Sequence, residues 1–178
     1  MDWLSFFKEF YFQEIDRKYA LTRSMAIPVG ISTVLASALF VLAGQLTVIA
    51  TMIDLALFVL LACVALLMLL SFYCLKRFYF NHAYHYLPTT LQIADHRQEL
   101  EEFYLQSQDE HTASSQADKD SVEYLTQLFA RTAHHNALIN DERVRWLFWA
   151  NASLYGALLL LILSALVLLG SSIQFALR

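Results

Sequence analysis

The sequence predicts an all-α integral membrane protein, with three transmembrane helices and a cytoplasmic helical hairpin between the second and third. Three observations predict it. Hydrophobic residues make up 58% of the chain and charged residues 16%, against roughly one quarter charged in soluble domains. Three runs, Met25–Gly44, Leu55–Leu75 and Leu147–Leu177, contain no Asp, Glu, Lys or Arg, and each matches the roughly 20 residues a helix needs to cross a bilayer. No stretch shows the two-residue alternation of a half-buried strand.

By this reading residues 1–24 form an N-terminal amphipathic interfacial helix, 25–77 a transmembrane hairpin, 78–146 the cytoplasmic hairpin, and 147–178 the third span and a short tail. Lys8, Arg17, Lys18 and Arg23 precede the first span, and Lys76 and Arg77 follow the second. The connection Gln45–Asp54 carries no cation. The excess of Lys and Arg marks the cytoplasmic side, so the N-terminus is expected there. Arg143 and Arg145 stand before the third span, which leaves the tail ending at Arg178 on the periplasmic side. Lys8, Glu9, Glu14 and Asp16 interrupt the first apolar stretch, and no signal peptide is read from it.

Within residues 1–24, Trp3, Phe6, Phe7, Phe10 and Tyr11 recur at helical spacing. Two readings stand for this aromatic stripe: a helix lying in the membrane interface, or one packed on the soluble segment or a neighbouring copy. After the second span the helix is expected to continue through Phe78, Tyr79 and Tyr84 until Pro88 breaks it. A second piece follows with Leu91, Ala94, Leu100, Phe103 and Tyr104 as its apolar positions. Residues 106–121, rich in Ser, Asp, Gln and Ala without periodicity, read as a polar loop. Asp120 and Glu123 read as the capping pair of a last helix, with Val122, Leu125, Phe129, Ala133, Ala137 and Val144 as its apolar positions. No Gly or Pro interrupts that helix before Gly156, so it is expected to enter the third span unbroken. Small residues recur at spacings of four at Ala26 and Gly30, Ser32 and Ala36, and Ser153 and Ala157, which allows close helix contact in lipid.

Composition also excludes chemistry. Between Phe78 and Trp146 eleven Asp and Glu face five Lys and Arg, a balance that disfavours nucleic acid, whose phosphates need cations. All four glycines, Gly30, Gly44, Gly156 and Gly170, lie in or at the ends of spans, so no glycine-rich turn is present to cradle a phosphate. Cys63 and Cys74 sit in the second apolar run and read as small hydrophobes. Arg77 and His82 have a ribonuclease-like Arg-x4-His spacing, but a cation at Arg77 is expected as a boundary anchor in any case. His82 and His85 stand one helical turn apart, and His134 and His135 adjoin Asn136; neither group has the three or four ligands a zinc ion needs. Ser114, Ser115 and Ser121 have no strand-turn-helix context to activate them. We therefore expect no catalytic, cofactor or metal residues and no enzyme.

Polar residues remain. Asp54, Gln45 and Asn151 are candidates for a polar path near the spans. His134, His135, Asn136, Asn140 and Arg143 are candidates for assembly or gate contacts, since side chains on consecutive turns can hydrogen-bond across helices. Glu99, Glu101 and Glu102 are candidates for docking a cytosolic partner.

The segment Glu9–Leu35, EFYFQEIDRKYALTRSMAIPVGISTVL, resembles the opening of small membrane proteins of prokaryotic antiviral systems. In these an aromatic-rich helix ends in an acidic and basic cluster, here Glu14, Asp16, Arg17 and Lys18, before a span with a Pro-x-Gly element, here Pro28 and Gly30. The run HHNALINDERVRWLFWAN, from His134 to Asn151, is similar to the helix that re-enters the membrane in the same group. SLATT-type proteins and the membrane accessories of CRISPR, retron and nucleotide-signalling systems belong to it. SLATT-type proteins have two spans, where this chain has three. The resemblance implies a homo-oligomeric effector of the bacterial inner membrane that permeabilises the bilayer when triggered. A non-conducting sensor or adaptor that recruits a cytosolic defence protein is the alternative.

Overall fold

The computed structural model describes residues 2–46, 51–80 and 82–176, with side chains described through Gly170. The described residues are helical apart from turns and one extended segment, and they contain no strand. Five helices follow in order: α1 (Trp3–Ser24), α2 (Ala26–Ala43), α3 (Met52–Tyr79), α4 (Thr90–Leu105) and α5 (Glu110–Ala176). Three helical stretches are long and apolar enough to cross a membrane. Residues 47–50 of the first connection and the tail at Arg178 lie outside the described residues.

Local chemistry sets the helix ends. Asp2 begins α1 by accepting from the Leu4 N–H at 3.1 Å and the Ser5 hydroxyl at 2.5 Å. The bond from Ser5 is the main reason its carboxyl titrates below the usual range. Met25 separates α1 from α2, because Pro28 has no N–H to give the Ser24 carbonyl. At the start of α3, Thr51 and Asp54 form a reciprocal cap: the Thr51 hydroxyl accepts from the Asp54 N–H, and the Asp54 carboxylate accepts from the Thr51 N–H at 2.9 Å. Thr89 and Gln92 repeat the arrangement at α4.

Two boundaries differ from the sequence expectation. Helix α3 stops at Tyr79 rather than near Pro88, and residues 82–89 run extended up to Thr89. The expected loop over 106–121 shrinks to the turn at 106–109, with α5 beginning at Glu110 rather than at an Asp120–Glu123 cap. Asp109 caps it, accepting from the Thr112 N–H at 3.2 Å, and that bonding to Thr112 holds its carboxyl below the ordinary range. The first turns of α5 are helical because they are covered: Ala113 and Ala117 have no solvent exposure, Arg97 of α4 bonds Asp118 at 2.6 Å and Ser114 at 3.2 Å, and Tyr104 donates to Asp120. From Glu110 onward α5 then runs unbroken for 67 residues.

The chain divides into two compact units, one of residues 1–20 and 82–141 and one of 21–81 and 142–178. The second holds the apolar bundle. On α3 the buried positions Leu57, Leu61, Val64, Met68, Ser71, Leu75 and Phe78 step by four and three, the spacing of a coiled-coil seam, with Cys74 buried beside them. Helix α5 answers with Ala150, Leu154, Ala157, Leu161 and Ser164 at the same steps. Leu35 of α2 completes the core. Gly156 lets Leu67 approach so closely that a Cβ would stand 3.3 Å from its Cδ1.

Filling this seam should separate the helices. Ala157→Leu is expected to destabilise the protein by about 1–3 kcal/mol through overpacking, measured as a lower unfolding temperature in detergent. Leu159→Ala, at a position 69% exposed, should leave it unchanged.

Candidate functional site

An extended segment cannot satisfy its own backbone, so residues 82–89 must find partners elsewhere. The first unit supplies them from α5. Asn136 accepts from the His85 N–H at 3.0 Å and donates through Nδ2 to the His85 carbonyl at 3.0 Å, so one carboxamide closes both backbone groups of one residue. One turn on, the Asn140 Oδ1 accepts from the Tyr84 hydroxyl at 2.5 Å. Its Nδ2 reaches the Glu14 carbonyl and carboxylate of α1, each at 2.8 Å. Both asparagines are fully buried. His135 places Nε2 3.0 Å from the Ala83 carbonyl, and its ring stacks on that of His85 at 3.7 Å between centroids.

Cations of α1 complete this clamp. Lys18 donates to the Tyr86 hydroxyl at 2.6 Å and stands 4.8 Å from the Tyr84 ring centroid and 5.2 Å from that of Tyr86, within the range of cation–π attraction. Arg17 bonds Asp141 at 2.7 Å and lies 3.5 Å from Glu14. The Asp141 bond is the largest influence raising its pKa. Tyr11, Phe129 and Ala133 form the apolar floor, with Leu4, Phe7, Ile15 and Leu87 around them. The aromatic stripe of α1 is thus packed in part on α5 and on Leu87. Phe6, Phe7 and Phe10 also border an open groove of about 300 Å³ with Ala133, His134 and Ala137.

Arg143 continues the same 3–4 spacing on α5 and belongs to the second unit. Only 4% exposed, it donates through Nε to the Phe78 carbonyl at 3.3 Å and through a terminal nitrogen to the Thr22 hydroxyl at 3.0 Å. Its guanidinium lies 4.4 Å from the Phe78 ring centroid.

The structure sorts the sequence candidates. His135, Asn136 and Asn140 hold residues 83–85 of their own chain, Arg143 bonds Phe78 and Thr22, and His134 is exposed at the groove. Asp54 is a helix cap, its carboxylate engaged by both Thr51 donors. Gln45 is exposed in the turn after α2, and Asn151 is half-buried on α5. Glu101 is paired with Arg97 at 2.9 Å and Glu102 accepts from Gln98 at 2.8 Å, while Glu99 is exposed. His82 and His85 stand on extended chain, so no helical turn brings them together. Arg77 is held by Glu142 at 3.9 Å and lies over the Trp146 ring. Among the described residues no three His, Cys, Asp or Glu side chains converge where a metal ion would sit.

Sequence reasoning missed Tyr84, Lys18 and Glu14 as clamp members. The available signal was the pair of asparagines at i and i+4 inside an otherwise core-like helix face, which implied buried partners of their own.

No protein-family model, no curated protein and no solved structure matches the chain.

Asn136→Leu leaves the His85 N–H and carbonyl without partners, and a buried orphaned group costs about 1–3 kcal/mol. The expected outcome is a lower unfolding temperature together with faster amide exchange at His85. Exchange at the α3 core should keep its wild-type rate.

Proposed function

We propose that this chain is a non-enzymatic effector of the bacterial inner membrane that acts as a homo-oligomer and permeabilises the bilayer when triggered, in the antiviral setting its sequence resemblance implies. One observation carries the reading. The small residues of α5 are consumed inside the chain, with Ser153 and Ala157 buried against their own bundle. On α2 the face built from Ala26, Gly30, Thr33 and Ser37 is exposed, and a Cβ at Gly30 would meet nothing within 4 Å. Small-residue faces are where membrane helices associate most closely. The hydroxyls of Thr33 and Ser37 bond the backbone of their own helix at 3.1 and 3.0 Å, and keep the acceptor capacity that a polar path between copies requires. With Asp54 spent as a cap, the path we propose is intermolecular. The N-terminus is placed in the cytoplasm and the C-terminus in the periplasm, following the distribution of Lys and Arg.

A second reading has its own support. The groove at Phe6, Phe7 and Phe10 and the exposed carboxylates Glu99 and Glu102 suit a membrane-anchored sensor that recruits a cytosolic protein.

Membrane potential followed by a voltage-sensitive dye in bacteria separates the two. Depolarisation after phage challenge is expected with the intact chain, and it should be lost on truncation before Leu147 and reduced several-fold by Gly30→Leu. An unchanged potential with the protein confirmed in the membrane supports the adaptor, for which charge reversal at Glu99 and Glu102 should abolish partner capture. Glu101 is left out of that test because its reversal also breaks the Arg97 pair.

A further inference from the structure

We propose that the end of the helical bundle formed by Arg23, Lys76 and Arg145 is a binding surface for the headgroups of anionic phospholipids. The inference rests on these helices lying in a bilayer, and it stands whether or not copies assemble.

Charge is segregated between the two units. Residues 1–20 and 82–141 carry fourteen Asp and Glu against six Lys and Arg, while residues 21–81 and 142–178 carry six Lys and Arg against two acids, Asp54 and Glu142. Asp54 is at the opposite end of α3 from Lys76 and Arg77. The remaining basic side chains of the second unit's described residues gather at one end. Arg143 joins the Phe78 carbonyl and Thr22, Arg77 joins Glu142 and the Trp146 ring, and Met25 packs with Cys74, Ala150 and Trp146. The last turns of α1 and α3 and the approach of α5 to its apolar run are therefore at one level.

Two of these cations are spent. Arg143 is buried in its bonds, and Arg77 balances Glu142, whose carboxylate also accepts from the Trp146 indole at 3.2 Å. Arg23, Lys76 and Arg145 are exposed, and none has a carboxylate within ion-pair distance among the described residues. Two of them also stand beside exposed aromatic rings: Trp149 lies one turn beyond Arg145, and Tyr73 and Tyr79 flank Lys76 at three residues on either side. Aromatic rings favour the headgroup level of a bilayer, and long basic side chains reach toward it. Each of the three helices thus presents an uncompensated cation at the depth where phosphates lie. An anionic headgroup supplies the missing charge, which a zwitterionic one cancels with its own amine.

The test incubates the detergent-purified full chain with equal amounts of phosphatidylglycerol and phosphatidylcholine and reads bound lipids by native mass spectrometry. Phosphatidylglycerol should predominate, and combining Arg23→Gln, Lys76→Gln and Arg145→Gln should lower its preference about two- to fivefold per cation removed. Arg145→Lys should retain it, as should Lys119→Gln in the acidic unit. Raising the salt concentration should weaken the wild-type preference, a result that needs no variant to fold. Equal retention of the two lipids by the wild type, or an undiminished preference in the triple variant, overturns the proposal. Displacement of phosphatidylglycerol by free glycerol phosphate at matching concentration also overturns it, since the surface would then be reading phosphate and not lipid.

Discussion

A backbone that leaves helix must still pair its N–H and C=O groups, and the first unit is organised around how one residue does so. His85 has neither a helical nor a strand neighbour, and the Asn136 carboxamide takes both of its groups at 3.0 Å. A carboxamide carries a donor and an acceptor side by side in one planar group, so a Leu at the same place would fill the space and leave two groups unpaired. Asn140 applies the same logic to Tyr84 and α1. With these bonds in place, Lys18 can sit among tyrosines and Leu87 can reach the apolar floor beside Tyr11 and Phe129.

The clamp belongs to a longer pattern. On α5, positions 136, 140, 143, 147, 150, 154, 157, 161 and 164 step by four and three along one face. The face is polar in its first third and apolar or hydroxylic thereafter. In the polar third, the buried carboxamides and guanidinium are satisfied by backbone groups, hydroxyls and a carboxylate. Within the apolar run, close packing by Ala and Leu takes over, and the serines return their hydroxyls to their own helix, Ser153 to Trp149 at 2.9 Å and Ser164 to Leu160 at 2.8 Å. One geometric rule therefore serves both parts of the helix, with side-chain chemistry changing from polar to apolar along it.

That division bears on function. A helical bundle whose core is apolar and whose buried hydroxyls mostly bond their own helix offers little for chemistry inside a single chain, so the function we propose is argued from surfaces: the open face of α2, the groove beside Phe10, and the basic end of the bundle. Ser71 is the exception in the core, with no hydrogen-bond partner for its hydroxyl among the described residues. It lies on the seam of α3, where its small size spares room for the facing helix.

The sequence by itself determined the helical class, the three apolar spans and the unbroken passage of α5 into the last of them, because length and the absence of charge over a run are local properties that no packing partner can reverse. It also set Asn136, Asn140 and Arg143 on consecutive turns of one helix, as candidates for hydrogen bonds across helices. Only the tertiary structure decided what they hold. Past the end of α3 at Tyr79, Asn136 gives His85 the hydrogen bonds that a helix would have supplied, and residues 110–121 are helical with Ala113 and Ala117 buried and Asp118 paired with Arg97 of α4. Those outcomes depend on groups far apart in the chain, whose proximity no local pattern of residues encodes.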